Sequence, residues 1–453
     1  MPRLQDTIAA LATPVGTAAL AVIRISGPDS TRISREIFGP DSPPRSVRHR
    51  DYRNLGGTLL DDVLFTFFAG PHSYTGEDAL EVSCHGNPFI AQKILEDLLA
   101  RGCRAAEPGE FTERAFLNGK MDLSQAEAVM DLIRARSERS LAAANQQLRG
   151  ALGRRMGGLV DGLLGVLARV EAYIDFPEED LPREDREVVA REVDRLIHDT
   201  GRLLATSHYG ALLREGIKTV IVGPPNVGKS SLLNRLVGFD RALVSTEPGT
   251  TRDFIEEQIQ VGPHSLRVID TAGINPSPAP IERLGMEKTL ERAAEADLFL
   301  LVFDATQPAP TLPVELLGII RPEKSLVILN KCDLVAAAAT LPISGLPGLP
   351  VARVSALTGS GLDELIAAIA RQAESFRQDT GDELIAINAR QSHALGEARD
   401  CLGQARLKIG NSGPAELLAS DLRGALNAYG VITGVVDNER MLDQLFAKFC
   451  IGK

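Results

Sequence analysis

The chain has 453 residues, a formal net charge of −11 and five cysteines, and 44% of its residues are hydrophobic. This length suggests about three domains, and the composition is ordinary for a globular protein. The negative charge argues against a general nucleic-acid binder, whose affinity depends on a basic surface. It does not exclude a nucleic acid held by a local patch or by a partner. The scattered cysteines have neither metal-ligand spacing nor a disulfide framework, as is typical of a reducing compartment.

Two long stretches without charge, residues 8–23 and 334–352, raise the question of a signal peptide or a membrane segment. Proline and glycine interrupt both stretches, and these residues break a spanning helix. Asp6 also precedes the first stretch, where a signal peptide would carry positive charge. We therefore expect a soluble cytoplasmic protein with no membrane partner.

Residues 1–119 alternate short apolar runs with turn signals, which predicts a mixed α+β domain. A helix is predicted over residues 89–102, where the apolar spacing is helical and Gly102 ends the pattern. Strands are predicted over residues 6–13, 19–27, 63–70 and 79–86.

The remainder of the chain divides into three segments. Residues 120–213 are rich in Ala, Leu, Arg and Glu at helical spacing, with Asp122 as the predicted N-cap. Residues 214–377 alternate strands with helices, and a helical pattern resumes over residues 378–453. The simplest architecture is a helical domain built from two separated segments, with an α/β domain inserted between them. Such insertions are tolerated because domain termini often lie close together.

The stretch GPPNVGKSS, residues 223–231, matches a phosphate-binding loop between an apolar strand and a helical pattern, which is the context that this motif needs. Backbone N–H groups of the loop are expected to cradle the β-phosphate, with Lys229 reaching the β- and γ-phosphates and Ser230 holding Mg²⁺. A glycine-rich turn without a ligand is the structural alternative.

Three later stretches complete a guanine-nucleotide pattern. In LRVIDTAG, Asp270 can hold the metal through water and Gly273 can approach the γ-phosphate. In NKCD, Asp333 can accept the N1 and N2 hydrogens of guanine, which adenine lacks, and residues 354–357 supply a backbone contact near the base. Because each stretch follows a predicted strand, we predict a GTP-binding and GTP-hydrolysing domain. The predicted nucleotide contacts are Asn226, Val227, Gly228, Lys229, Ser230, Ser231, Ser245, Thr246, Glu247, Pro248, Gly249, Thr250, Thr251, Asp270, Thr271, Ala272, Gly273, Asn330, Lys331, Asp333, Ser355, Ala356 and Leu357.

The residue that follows DTAG is Ile274, where familiar GTPases of this fold have a glutamine that orients the attacking water. Asn226 and the oxygen-rich stretch 245–253 together could hold a monovalent cation, which would replace an arginine finger. Asn226 could instead merely suit its turn. Glu282 could position water, or it could be a solvated carboxylate at a helix start.

Several stretches match one family. Within the predicted nucleotide-binding domain these are GPPNVGKSSLLNRL, EPGTTRD, DTAG, IERLG and NKCD. Outside it they are DTIAALATP, IRISG, SYTGEDALEVSCHG, PGEFTERAFLNGKMDLSQAEAV, YIDF, LLREG and the terminal FCIGK. On these stretches essentially the whole chain resembles the tRNA-modifying GTPases of the MnmE (TrmE) family. The resemblance implies a multidomain α/β protein with an N-terminal α+β folate-binding-like domain, a discontinuous helical domain and an inserted Ras-like P-loop GTPase domain.

The resemblance also implies an activity. Members are potassium-dependent GTPases that place an aminomethyl or carboxymethylaminomethyl group on C5 of the wobble uridine of certain tRNAs. The carbon comes from 5-formyl- or 5,10-methylene-tetrahydrofolate. The implied assembly is a homodimer through the N-terminal domains that forms a heterotetramer with an FAD-dependent, MnmG/GidA-like partner. The alternative from another class is a non-enzymatic GTP switch that docks on a ribosome or an RNA.

Residue roles follow from the resemblance. It implies a catalytic role for Glu282. The implied potassium ligands are Asn226, Ser245, Glu247 and Thr250, and the implied Mg²⁺ ligands are Ser230 and Thr251. The implied folate contacts are Arg24, Glu81 and Lys120. From the residues alone, a charge in an apolar strand is costly unless it is paired. A structural Arg24–Glu81 pair beside a solvated Lys120 therefore remains the alternative.

The chain ends in FAKFCIGK, with Cys450 close to the carboxyl end. A prenylation signal is excluded, because Gly452 is not aliphatic and Lys453 is not a usual terminal residue of such signals. Cys450 is then either a buried packing residue or a catalytic thiol. As a thiolate it could add to C6 of uracil and activate C5, and Lys453 could lower the pKa of the thiol.

Leu445, Phe446 and Phe449 recur at helical spacing just before this cysteine. We therefore expect the tail to be pinned to the helical domain up to Cys450. Residues 451–453 are expected to extend beyond it as a short tip.

Overall fold

The computed structural model describes residues 6–40, 43–175, 183–240, 256–269, 295–308, 312, 314–335, 348–376, 385–411, 413–435 and 439–453. The chain divides into two compact units. The first contains Met1–Met130, Leu152–Gly157 and Asn427–Lys453, and the second contains Asp131–Ala151 and Gly158–Leu426. No helix of the described residues is long and apolar enough to cross a membrane.

The first unit contains a six-stranded sheet in the order β3-β4-β5-β2-β1-β6. All neighbouring strands are antiparallel except β1 and β6. The elements are β1 Ile8–Leu11, β2 Leu20–Ser26, α1 Ser30–Phe38, β3 Arg48–Arg53, β4 Leu59–Phe68, β5 Ala79–His85, α2 Pro88–Ala100, β6 Arg104–Ala105 and α3 Glu110–Leu117. This α+β architecture confirms the predicted fold of the N-terminal segment.

Side-chain alternation gives this sheet one covered face. Ile23, Phe65 and Val82, from three neighbouring strands, pack in one core with Ile33 of α1 and Ile94 of α2. The intervening residues of the strands point to the opposite face, because successive side chains along a strand alternate between the two faces of the sheet. Strand β3 was not predicted, because RHRDYR has no apolar alternation, and β6 has only two residues.

The carboxyl end of the chain belongs to the first unit. Helix α4, Leu123–Arg134, is capped by Asp122, whose Oδ1 accepts from the Gln125 backbone N–H at 2.8 Å. This confirms the predicted N-cap. Leu442, Phe446 and Phe449 pack with Leu123 and Met130 in one apolar cluster. The terminal helix is Glu439–Phe446 (α14).

The second unit combines helices with a second sheet. The helices that precede its sheet are α5 Glu138–Leu148, α6 Ala151–Asp175, of which Leu152–Gly157 belong to the first unit, α7 Arg183–Ala205 and α8 Ser207–Glu215. Those that follow it are α12 Ala389–Gly410 and α13 Ala415–Thr433, whose residues from Asn427 onward belong to the first unit, and α7 packs against α12. The chain enters and leaves the sheet region at one place, because Arg214 donates to the carbonyls of Ala386 and Ile387 and to Asp131 Oδ2.

The second sheet has the strand order β12-β11-β10-β7-β9-β8, with β8 as an antiparallel edge strand on β9 and the other pairs parallel. Its elements are β7 Ile217–Val222, α9 Lys229–Asp240, β8 Glu256–Val261, β9 His264–Ile269, β10 Leu298–Asp304, α10 Val314–Ile319, β11 Ser325–Asn330, β12 Val351–Arg353 and α11 Leu362–Glu374. β7, β10 and β11 are buried almost throughout, as expected of parallel strands that are covered on both faces. The predicted inserted Ras-like domain is confirmed.

Candidate functional site

The phosphate loop connects β7 to the first turn of α9, in the position that the sequence predicts. Asn226 and Gly228 both have positive φ values, of 64° and 94°, which turn the backbone back toward the helix. Lys229 is the first residue of α9, and its Nζ donates to the carbonyls of Gly223 and Pro224, each at 2.8 Å. Loop N–H groups, a helix N-terminus and an ammonium group therefore meet at one place, which suits a phosphate group.

The two glycines at the ends of this loop are required by close contacts. A Cβ atom on Gly223 would lie 2.1 Å from the Val302 carbonyl oxygen, and one on Gly228 would lie 2.4 Å from Asn330 Nδ2. The loop therefore lies in close contact with β10 and with the end of β11, and no residue larger than glycine fits at either position.

Asn330, the last residue of β11, connects three parts of the site. Its side chain is buried, with Nδ2 donating to the Val227 carbonyl at 2.8 Å and Oδ1 accepting from the Ala356 N–H at 2.9 Å. The first contact fixes the phosphate loop and the second fixes the predicted base-side loop. A residue predicted to contact the nucleotide therefore also positions both loops.

Lys331 makes a second contact with the phosphate loop. Its φ is 63°, and its Nζ donates to the Asn226 carbonyl at 3.0 Å and to Asp304 Oδ2 at 2.6 Å. Partial burial of Asp304 opposes its ionisation, but hydrogen bonds from Lys331 and Thr306 outweigh it and lower the pKa of the carboxyl. Asp304 is therefore ionised at neutral pH and holds the Lys331 side chain in place.

The predicted base-side residues lie at the ends of β11 and β12. Asp333 is exposed, in the short 3-10 turn Cys332–Leu334, so its carboxylate is accessible to a base. Ser355 is buried and its Oγ accepts from the Thr358 N–H at 3.1 Å, whereas Leu357 is 81% exposed. Of the predicted phosphate-loop hydroxyls, Ser230 and Ser231 are exposed in the first turn of α9. Those predicted nucleotide contacts that the structure describes therefore lie together at one end of the sheet.

The remaining predicted residues of this site lie outside the described residues. They are Ser245, Thr246, Glu247, Pro248, Gly249, Thr250, Thr251, Asp270, Thr271, Ala272, Gly273, Ile274 and Glu282. Their predicted roles stay predictions.

A second candidate site lies on the sheet of the first unit. Arg24 of β2 pairs across the strands with Glu81 of β5, with Nη2 to Oε1 at 2.8 Å, and the two side chains are 18% and 32% exposed. The Arg24 guanidinium also lies 5.5 Å from the ring centre of Tyr74 and 5.8 Å from that of Phe111. The pair that the structural alternative requires is therefore present, and it is partly exposed, with two aromatic rings close to its guanidinium group.

Lys120 lies near this site without joining the ion pair in any described contact. Its Nζ donates to the Pro71 carbonyl at 2.8 Å, and its chain packs beside Gly76 in the segment that also carries Tyr74. Lys120 is exposed, as the structural alternative expects, and its ammonium group is held at the Pro71 carbonyl.

The C-terminal tip does not extend away from the domain, and this expectation was wrong. Ile451 forms an isolated bridge with Pro108, and the Gly109 N–H donates to the Cys450 carbonyl at 3.3 Å. Gly452 is buried, and its carbonyl accepts from Arg24 Nη1 at 3.3 Å. Its φ is positive at 90°, and a Cβ atom at this position would lie 2.6 Å from the Leu11 carbonyl oxygen, so the position requires glycine. The tail therefore ends on the Arg24–Glu81 pair.

The two reactive residues of the tail differ in environment. Cys450 is exposed, so the buried packing role is wrong for it. Lys453 is partly buried, and burial together with the nearby Arg24 guanidinium lowers the pKa of its ammonium group, although Glu81 and Cys450 act in the opposite direction. The Arg24 guanidinium, the Glu81 carboxylate and the Cys450 thiol therefore all lie near the Lys453 ammonium group.

Sequence reasoning missed several of these contacts. Asp304 ends the apolar run LFLLVFD in the same way that other site residues end their strands, so its position was a usable signal. Tyr74 and Phe111 stand in loop and helix patterns that gave no signal, and the role of Gly452 depends on a contact with a distant strand.

Comparison with known proteins gives a consistent result. The family model described as the MnmE helical domain matches residues 123–450, and that of the GTP-binding protein TrmE N-terminus matches residues 7–120. The chain is 58% identical over 453 residues to the tRNA modification GTPase MnmE of Opitutus terrae, with 100% of both chains covered. It is 45% identical over 455 residues to the protein of the same name in Akkermansia muciniphila, with 99% of each covered.

Proposed function

The chain belongs to the MnmE family of tRNA modification GTPases, and we propose that it modifies C5 of a wobble uridine together with a flavin-containing partner and a reduced folate. It is an enzyme that hydrolyses GTP in tRNA modification. The non-enzymatic docking switch is therefore not retained. Its proposed compartment is the cytoplasm, and its proposed assembly is a homodimer that forms a heterotetramer with an MnmG/GidA-like protein.

We propose that GTP binds with its phosphates in the loop 223–228 and its base at Asp333. Exposed Ser230, with Thr251, would hold Mg²⁺, and Lys229 would neutralise phosphate charge. The oxygens of Asn226, Ser245, Glu247 and Thr250 would hold K⁺. The exposure of Asn226 and the positive φ of its backbone support this assignment, because its side chain stands free of the loop's packing.

In this proposal K⁺ supplies positive charge where negative charge develops in the transition state. Glu282 orients the attacking water, since Ile274 offers no polar atom for that purpose. Asp270 and Gly273 contact the metal-bound water and the γ-phosphate.

The reduced folate is proposed to bind at Arg24, Glu81 and Lys120. A pterin edge suits a carboxylate, and glutamate carboxylates suit guanidinium and ammonium groups. The partly exposed Arg24–Glu81 pair supports this, because the ring centres of Tyr74 and Phe111 lie 5.5 and 5.8 Å from the Arg24 guanidinium, where the rings could contact a planar ligand. A bound folate would supply the carbon that becomes attached to the uridine.

The single observation that carries the proposal is the docking of the C-terminal tail on this pair, through Arg24 Nη1 and the Gly452 carbonyl. It leaves the Cys450 thiol exposed on the same unit. As a thiolate, Cys450 would add to C6 of the uracil ring and make C5 nucleophilic. Once C5 carries its new substituent, loss of the C5 proton and cleavage of the sulfur–C6 bond would regenerate the thiolate.

Mass analysis of wobble uridines tests the whole proposal. Cells that lack this protein should accumulate uridines without the C5 group, and the wild-type gene should restore the modification. Arg24→Ala should fail to restore it and should lose binding of tetrahydrofolate to the full-length protein. Arg195→Ala, which removes an exposed helix ion pair with Glu192, is the matched control. Undiminished folate binding in Arg24→Ala would return that residue to a structural role.

A further inference from the structure

Hairpin β8–β9 connects the two stretches that carry the predicted switch residues. The stretch EPGTTRD ends shortly before β8, and DTAG begins at the residue after β9. The two strands are antiparallel, and Glu256 pairs with Ile269 at the end nearest both stretches. At the other end, Val261 pairs with His264 beside the turn. With six residues per strand, the hairpin spans about 17 Å between these ends.

The turn of the hairpin contacts helix α5 through the backbone and through charges. The Arg139 N–H donates to the Pro263 carbonyl at 3.1 Å. Arg139 Nη2 donates to Glu374 Oε1 at 2.9 Å, and His264 Nε2 lies 3.3 Å from Glu374 Oε2. Glu374, at the end of α11, therefore stands between a residue of the helical segment and the first residue of β9.

Two further contacts make this connection rigid. Arg136 Nη1 donates to Gln258 Oε1 in β8. Ala143 of α5 is buried in the same apolar core as Val261 and Leu266 of the hairpin. The first turn of α5 is fixed by a capping box between Ser137 and Ser140. A displacement of the hairpin turn must therefore either move α5 or break these contacts.

The charge balance at this place favours an intact ion pair. His264 is only 3% exposed, and burial together with the Arg139 charge lowers the pKa of its imidazole, while Glu374 acts in the opposite direction. A neutral His264 leaves Glu374 as the counter-charge of Arg139. The Arg139 and Glu374 side chains are each 35% exposed. If the ion pair separates, water can therefore solvate both charges, and neither is left buried without a partner.

We propose that hairpin β8–β9 is a lever and that the contact of Arg139 with Glu374 and Pro263 is the joint that couples the nucleotide state of the switch stretches to helix α5. Through this joint, GTP hydrolysis would drive the arrangement of the helical segment that tRNA modification needs. Arg139 is thus a positioning residue, which acts on the reaction without touching the nucleotide. The inference rests on the family's pairing of GTP hydrolysis with tRNA modification.

Arg139→Ala in the full-length protein tests the joint, with Arg139→Lys as the conservative variant. Arg406→Ala is the matched control, because Arg406 pairs with Asp194 at 2.8 Å across two helices and is 39% exposed. In Arg139→Ala we expect GTP affinity and turnover within about 2-fold of wild type. The number of uridines modified per GTP hydrolysed should fall at least about 10-fold. Arg139→Lys and Arg406→Ala should keep more than half of the wild-type ratio.

Hydrogen exchange gives a readout that does not depend on the modification chemistry. In the wild type, exchange protection of residues 138–148 should differ between the GDP-bound protein and the protein with a non-hydrolysable GTP analogue. Arg139→Ala should abolish this difference and Arg406→Ala should keep it. The proposed joint would be wrong if the exchange protection of α5 in the wild type did not depend on the nucleotide. It would also be wrong if Arg139→Ala lost GTP turnover and tRNA modification to the same extent. If the exchange difference follows Arg139 but the wild type modifies no tRNA, the joint stands and the proposed function fails.

Discussion

Removing the Asn330 side chain should uncouple the phosphate loop from the rest of the nucleotide site. Asn330→Ala deletes two buried hydrogen bonds, to the Val227 carbonyl and from the Ala356 N–H, of 2.8 and 2.9 Å. It also leaves those two backbone groups without their partner. Because the side chain is 2% exposed, water does not readily replace it.

The expected cost follows from these two contacts. Each hydrogen bond contributes about 1–1.5 kcal/mol, so the pair contributes about 2–3 kcal/mol. If this energy keeps the loop in its binding conformation, GTP affinity falls by roughly 30- to 150-fold. The loss should be equal for guanosine, inosine and xanthosine triphosphates, since the contacts position backbone and do not read the base.

Titration with fluorescent triphosphates measures this effect, with Lys331→Ala as a second variant. Lys331 donates to the Asn226 carbonyl through an exposed bond, so its removal should weaken binding less than removal of Asn330 does. If Asn330→Ala lowers the affinity by less than about 3-fold, or lowers it only for guanosine triphosphate, Asn330 does not hold the phosphate loop in its binding conformation.

Further predictions concern four single residues and the monovalent cation. Asp333→Asn should weaken GTP binding and favour xanthosine triphosphate, whose 2-oxo group accepts from the new amide; competition binding tests this, and retained GTP preference would move the base elsewhere. Replacing K⁺ by Na⁺ should slow GTP turnover, and Glu282→Ala should slow it with little change in affinity; equal steady-state rates in both salts would contradict the cation site. The Cys450→Ser variant should fold and hydrolyse GTP normally but should not modify tRNA. A normal modification rate in this variant would show that the Cys450 thiol takes no part in the reaction. Because the pKa of His264 is lowered in the folded state, protonation of the unfolded chain should reduce stability as the pH falls below about 6.5. His264→Gln should flatten the fall of the denaturation midpoint between pH 7.5 and 5.5, and parallel curves for the two proteins would contradict this.

The nucleotide domain could be predicted from the sequence, and so could the positions of those predicted site residues that the structure describes. Lys229, Asn330 and Asp333 stand in short motifs whose spacing is set by local backbone geometry, at the ends of strands that are recognisable from their apolar runs. The helical segments and the Asp122 cap could be predicted for the same reason, because helical spacing and capping are properties of neighbouring residues. Strand β3, with its charged sequence RHRDYR, could not, because its pairing with β4 determines its conformation.

The tertiary structure alone decided where the tail ends and what the hairpin contacts. Arg24 and the Gly452 carbonyl are separated by 428 positions, and Arg139 and Glu374 by 235. Nothing in the local pattern of either residue specifies such a partner. A charge in an apolar strand needs some partner, but the pattern does not say which distant group provides it. These contacts arise because the folded backbone brings the segments together, and a charged or polar group near the boundary of a core then binds the nearest group that compensates its desolvation.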